Sequence, residues 1–98
     1  MNTAIEADDT HRALRKRTAT AMRRWQDRIV RIVDDGVASE ELRSDVDAAA
    51  VAAILTSALE GAIMIASLLR DPAQMNATSA HLRDWLGSLG RKSGAAAS

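Results

Sequence analysis

The sequence predicts an all-α protein, a three-helix antiparallel bundle whose first and second helices are long, and three observations carry that prediction. The 98 residues hold one Pro and five Gly in an Ala- and Arg-rich background, which favours helix and leaves little for turns or strands. Apolar residues recur at spacings of three and four in three separate stretches. Between the stretches lie Gly36 with a polar connector and the pair Asp71-Pro72, both ordinary helix stops. A single domain is expected over residues 1–90, with helices at about 8–35, 47–70 and 73–89 and a disordered tail at 91–98 that has nothing to bury.

In the first stretch, Leu14, Ala21, Met22, Trp25, Ile29, Ile32 and Val33 share an arc of about 120°, the width of a core-facing stripe. Arg12, Lys16, Arg17, Arg23, Arg24, Arg28 and Arg31 occupy the remaining surface. Thr3 with Glu6 makes a capping box for the start, with Asp8, Asp9 and Thr10 as alternative caps. Gly36 is expected in the left-handed position that ends the helix, although Asp34 and Asp35 sit badly at its negative end.

Residues 37–47 have no sustained period and read as a connector, closed by Asp45 or Asp47 as N-cap of helix 2. In helix 2 the polar Thr56, Glu60 and Ser67 fall on one line, so about two-thirds of the circumference is apolar or small. Such a helix needs covering over more of its girth than two sibling helices provide, and a second copy is expected to supply the rest. Ala58, Ala62 and Ala66 form one small-residue ridge and Ala50, Ser57 and Gly61 another. Gly61 costs about 1 kcal/mol against Ala in mid-helix, which implies a packing reason for it. Pro72 is placed to open helix 3 at its first position, Met75, Leu82, Trp85, Leu86 and Leu89 form that helix's apolar face, and Gly90 closes it.

Composition limits what such a chain can do. Of the apolar residues 20 are Ala and only 26 are bulky, with no Phe or Tyr, so the core is thin. Small domains of this kind are reinforced by disulfides, a metal or association; with no Cys, association is the expectation. Formal charge is zero, but residues 11–33 carry a net +7 and residues 34–60 a net −6. The basic run could grip phosphates. It lies opposite the apolar arc, however, and no Phe or Tyr is present to stack bases, so a solvated face partly balanced by the acidic connector is the preferred reading. Residues 48–69 are long enough for a single membrane span; Glu60 at mid-helix and the lack of a one-sided Lys/Arg excess argue for a helix buried in an oligomer instead. The acidic N-terminus lacks a signal-peptide pattern, which makes the cytoplasm the expected compartment. His11 and His81 have no partners at metal-ligand spacing, and no catalytic constellation or phosphate loop stands out. No enzyme activity, metal or cofactor is expected.

The run Trp25, Ile29, Ile32, Val33, Asp35-Gly36-Val37, Ser39, Glu41-Leu42-Arg43, Asp45, Asp47, with Leu59-Glu60-Gly61 and His81-Leu82-Arg83-Asp84-Trp85-Leu86, resembles the C-terminal regulatory domain of tetracycline-repressor (TetR) family transcription regulators. The likeness covers about residues 10–90. In that family a connector Gly-x-x-x-Gly-Glu-Leu precedes the penultimate helix; Gly36 and Glu41-Leu42 match, while Glu40 stands where the second Gly is usual. The resemblance implies that helices 2 and 3 pair with those of a second subunit in a four-helix bundle. It makes Leu55, Ala58, Leu59, Ala62, Ile63, Ala66, Met75, Leu82, Trp85, Leu86 and Leu89 the dimer-interface candidates. It also implies a small lipophilic effector bound partly against helices 1 and 2, with Met22, Trp25, Thr56, Glu60 and Met64 as pocket candidates; plain core, and for Glu60 solvent or a helix 1 Arg, are the alternatives. Family members open with a helix-turn-helix module of about fifty residues, which these helices are not expected to supply. The expected function is dimerisation and effector sensing without operator binding, and a stand-alone helical interaction module is the alternative.

Overall fold

The computed structural model describes residues 3–91, with side chains from Asp9 onward. Three helices follow one another: α1, Thr3–Ala38; α2, Ala48–Leu69; and α3, Ala73–Ser88. The all-α, three-helix architecture is as the periodicity predicts. The side chains of the Thr3–Glu6 capping box and residues 92–98 of the tail lie outside the described residues.

Helix α2 begins where Asp47 Oδ1 accepts the Ala50 N–H at 3.2 Å, which satisfies one of the donors orphaned at a helix start. It ends at Arg70, left-handed at φ 51°, whose N–H donates to the Ala66 carbonyl. Asp71 Oδ1 then accepts from the Ala73 N–H at 2.9 Å. Pro72, at φ −77°, takes the cap position before α3 and not the first helical position that the sequence predicts for it, one residue earlier than expected. This three-residue hinge turns α3 back along α2.

Helix α1 differs from expectation at both ends. Its backbone is helical from Thr3, so Asp8, Asp9 and Thr10 lie inside it rather than capping it. At the other end Gly36 is not left-handed. It stays helical, with no glycine at positive φ among the described residues, and the chain breaks four residues later at Glu40, φ 65°. The reason is tertiary: a Cβ on Gly36 would come within 2.8 Å of Leu42 Cδ1, so the glycine is needed for close approach and not for turning.

The helices form a layer with α2 in the middle. α2 packs on α1 at one side and on α3 at the other, while the backbones of α1 and α3 keep apart. Cα positions span 73 × 31 × 13 Å, with a radius of gyration of 18.6 Å, against about 13 Å for a compact domain of this length. A core of Ile29, Val33, Val51 and Ala52 sits where α1 crosses the start of α2, with Leu42, Val46, Leu55, Trp85 and Leu89 packed around it. A 36-residue helix is about 54 Å long against about 33 Å for α2, so the N-terminal half of α1 overhangs. Every described side chain from Asp9 to Ala21 is exposed.

Candidate functional site

The connector is the most tightly tied part of the surface. Leu42 and Gly90 form an isolated antiparallel bridge. The Arg43 N–H donates to the Leu89 carbonyl at 3.0 Å and the Arg91 N–H to the Glu41 carbonyl at 2.9 Å. Arg43 also donates from Nη1 to the Ser88 carbonyl at 3.1 Å, which occupies a carbonyl left open at the end of α3. Glu40 pairs with Arg91 at 2.8 Å and Arg43 with Asp45 at 3.2 Å. Among the described residues the acidic connector makes no ion pair with the arginines of α1, contrary to what the charge balance suggests; its Glu40 and Asp45 pair with Arg91 and Arg43. Arg91, assigned to the tail on sequence, belongs to this clamp. Neither periodicity nor capping rules carry a signal for it.

Above the clamp, α2 presents an open seam. Ala50, Ile54, Ser57, Gly61, Met64 and Leu68 follow spacings of four and three along one side, the repeat that lets two helices interlock side by side. Ile54 is 50% exposed, Met64 60% and Leu68 76%. Gly61 lies amid them with nothing within 4 Å of where a Cβ would stand. The small-residue ridge of Ala50, Ser57 and Gly61 thus gains bulky flanks from residues that belonged to no single predicted patch.

The interface candidates divide between this open surface and the chain's own packing. Ala62 is buried, Leu55, Ala58, Leu59 and Ala66 on α2, Met75, Leu82 and Trp85 on α3 and Leu89 just after it are half-buried, and Ile63 and Leu86 are exposed. Leu55, Trp85 and Leu89 pack against the core cluster.

The pocket candidates lie on the two adjacent helices but outside the core cluster. Met22 is half-buried and Trp25 is 47% exposed on α1. Thr56 is buried, with its hydroxyl donating to the Ala52 carbonyl one turn back; Glu60 and Met64 are exposed. Grooves of about 500 Å³ lie along the overhang of α1, one of them reaching Met22, and are lined by that helix alone. The stripe predicted on α1 is split: Ile29 and Val33 are buried against α2, while Leu14, Trp25 and Ile32 remain 60, 47 and 64% exposed. No group of three or more His, Cys, Asp or Glu side chains is placed to hold a metal among the described residues. α2 is long and apolar enough to cross a membrane by length and composition.

Residues 1–89 match the family model described as tetracyclin repressor-like, C-terminal domain. Two solved structures are similar: a TetR family transcriptional regulator from Cytophaga hutchinsonii, 36% identical with a TM-score of 0.76, and a TetR transcriptional regulator from Chloroflexus aurantiacus J-10-fl, 33% identical with a TM-score of 0.78. Each match covers 93% of this chain and 46% of the other, so the chain spans about half the length of these relatives. No curated protein matches it.

Proposed function

We propose, from the premise that this chain belongs to the tetracyclin repressor-like C-terminal domain family, that it is the dimerising and effector-sensing part of a TetR-type transcriptional regulator acting in the cytoplasm. The observation that carries this reading is the α2 seam. A helix central to its layer leaves Ile54, Met64 and Leu68 half or more exposed, and its only charge is Glu60. A second copy meets that surface without like-charge repulsion along its length, and Gly61 lets the two backbones approach. Ile63 and Leu86 are the predicted interface residues with most surface to give to such a partner. A membrane span is the weaker reading of α2, because α1 and α3 flank it on both sides.

Effector sensing is assigned to Met22, Trp25, Thr56 and Glu60, a mostly apolar set with one carboxylate that suits a lipophilic cation, while Met64, the fifth pocket candidate, lies in the α2 seam that the second copy covers. DNA contact is not assigned to these helices: the α1 arginines are spread around an exposed helix, and Trp25 and Trp85 are the only aromatic side chains available to stack on a base. The chain is read as a binding module and not as a catalyst.

Sedimentation velocity at micromolar concentration tests the central statement. A dimer is expected, and a folded monomer would overturn the reading. A thermal-shift screen with lipophilic cations and acyl compounds tests the sensing role, for which stabilisation by at least one class is expected.

A further inference from the structure

The overhanging α1 carries a second seam whose borders are charged. Leu14, Thr18, Ala21, Trp25, Arg28 and Ile32 repeat at spacings of four and three on its open side. Leu14 and Ile32 are 60 and 64% exposed, and the Thr18 hydroxyl is turned back onto the Leu14 carbonyl at 2.9 Å. Along one border Arg17, Arg24 and Arg31 stand seven residues apart, the positions that in paired helices face the partner's charges and select it. Among the described residues none of these arginines, nor Arg28 within the seam, has an ion-pair partner. Asp27, one turn from both Arg24 and Arg31, and Asp35, one turn beyond Arg31, are the acids beside that border, and neither pairs with them, so the border keeps a surplus of positive charge.

A second copy fits this seam badly. In antiparallel pairing the arginine border would face itself. In parallel pairing it would face the opposite border, which carries Arg15 followed by the half-buried Met22 and by Ile29, buried in the core with α2. Arg28 would be buried against its own counterpart in a register-matched parallel pair. We infer that the exposed seam of α1 is a docking site for an amphipathic helix of another composition, apolar along its stripe and bordered by Glu or Asp. Such a helix places carboxylates against Arg17, Arg24 and Arg31, and one more opposite Arg28. This assignment is independent of dimerisation through α2, because it uses a different helix.

Two synthetic helical peptides with the same Leu/Ala stripe, one with Glu and one with Lys at the bordering positions, test the assignment by titration against the full chain with tryptophan fluorescence as readout. Binding of the Glu peptide about tenfold or more tighter than the Lys peptide is expected, weakening with added salt and losing its spectral change in Trp25→Phe. The combined substitution Arg17→Glu, Arg24→Glu, Arg31→Glu should reverse the preference; these side chains are exposed, and circular dichroism checks that the helices persist. Equal binding of both peptides, no binding of either at 100-fold excess, or a fluorescence change with anionic phosphatidylglycerol vesicles or duplex DNA but not with the Glu peptide would each overturn the assignment. Sedimentation of the same triple variant keeps the two statements apart, since loss of the peptide preference with the dimer intact bears on α1 alone.

Discussion

At the scale of single residues, the turn between α1 and α2 divides its labour between Gly36 and Glu40. A glycine after an apolar stripe reads as a helix stop, and on sequence Gly36 takes that part; in the fold it is the floor on which Leu42 rests. Leu42 cannot retreat, because its N–H is bonded to the Gly36 carbonyl at 3.0 Å and its backbone is bridged to Gly90. Gly36→Ala should therefore destabilise the chain by about 1–2 kcal/mol, overpacking outweighing the gain in helix propensity of about 1 kcal/mol. Leu42→Ala in the same molecule should recover part of the loss, a coupling that urea unfolding of the two single variants and the double variant measures. Glu40 is the left-handed residue, and only the family resemblance marked its position, since periodicity says nothing about φ. Glu40→Gly relieves the strain at the expense of an exposed ion pair worth about 0–1 kcal/mol. Glu40→Val keeps the left-handed backbone and adds a β-branched side chain. The Val variant should unfold at lower urea than the Gly variant by the equivalent of about 1–2 kcal/mol.

At the scale of elements, legibility followed the locality of the signal. Both ends of α2 could be read because Asp47 and Asp71-Pro72 act within a few residues of themselves, and Asp47→Ala should cost about 1 kcal/mol in thermal unfolding. The end of α1 could not, because a contact six residues away holds Gly36 helical. The faces of α2 were legible as apolar but not as assigned: a wheel shows that two-thirds of the helix wants cover, yet not which part its own neighbours take. The structure gives Val51, Ala52, Thr56 and Ala62 to the chain itself and leaves Ile54, Gly61, Met64 and Leu68 open. Gly61 separates the two kinds of energy. With nothing within 4 Å of its Cβ position, Gly61→Ala should stabilise the isolated helix by about 1 kcal/mol. In a pair of α2 helices the added methyl would stand against the partner's backbone. The expected outcome is a higher helix content at nanomolar concentration together with a dimer dissociation constant raised about tenfold or more, read by circular dichroism and sedimentation equilibrium on the same preparation.

At the scale of the whole molecule, a single layer 13 Å thick in Cα positions has little interior. Five apolar side chains and Thr56 are buried among the described residues, so most of what α2 could contribute by burial is unused in the lone chain. If a second copy covers the seam, folding and association share one equilibrium, and stability must depend on concentration. For a folded dimer unfolding to monomers, each tenfold rise in concentration adds about 1.4 kcal/mol per dimer, or roughly 3 °C in melting temperature for two chains of this length. Met64→Lys with Leu68→Lys should abolish that dependence. The substitutions put two cations in the seam, while Glu60, one turn before the first of them, offers that new ammonium an intrahelical ion pair that supports the isolated helix. Differential scanning calorimetry across a hundredfold range of concentration separates the alternatives. A wild-type midpoint that climbs while the double variant stays flat is expected, and a folded wild-type chain whose midpoint ignores concentration would remove the second copy from the account of α2.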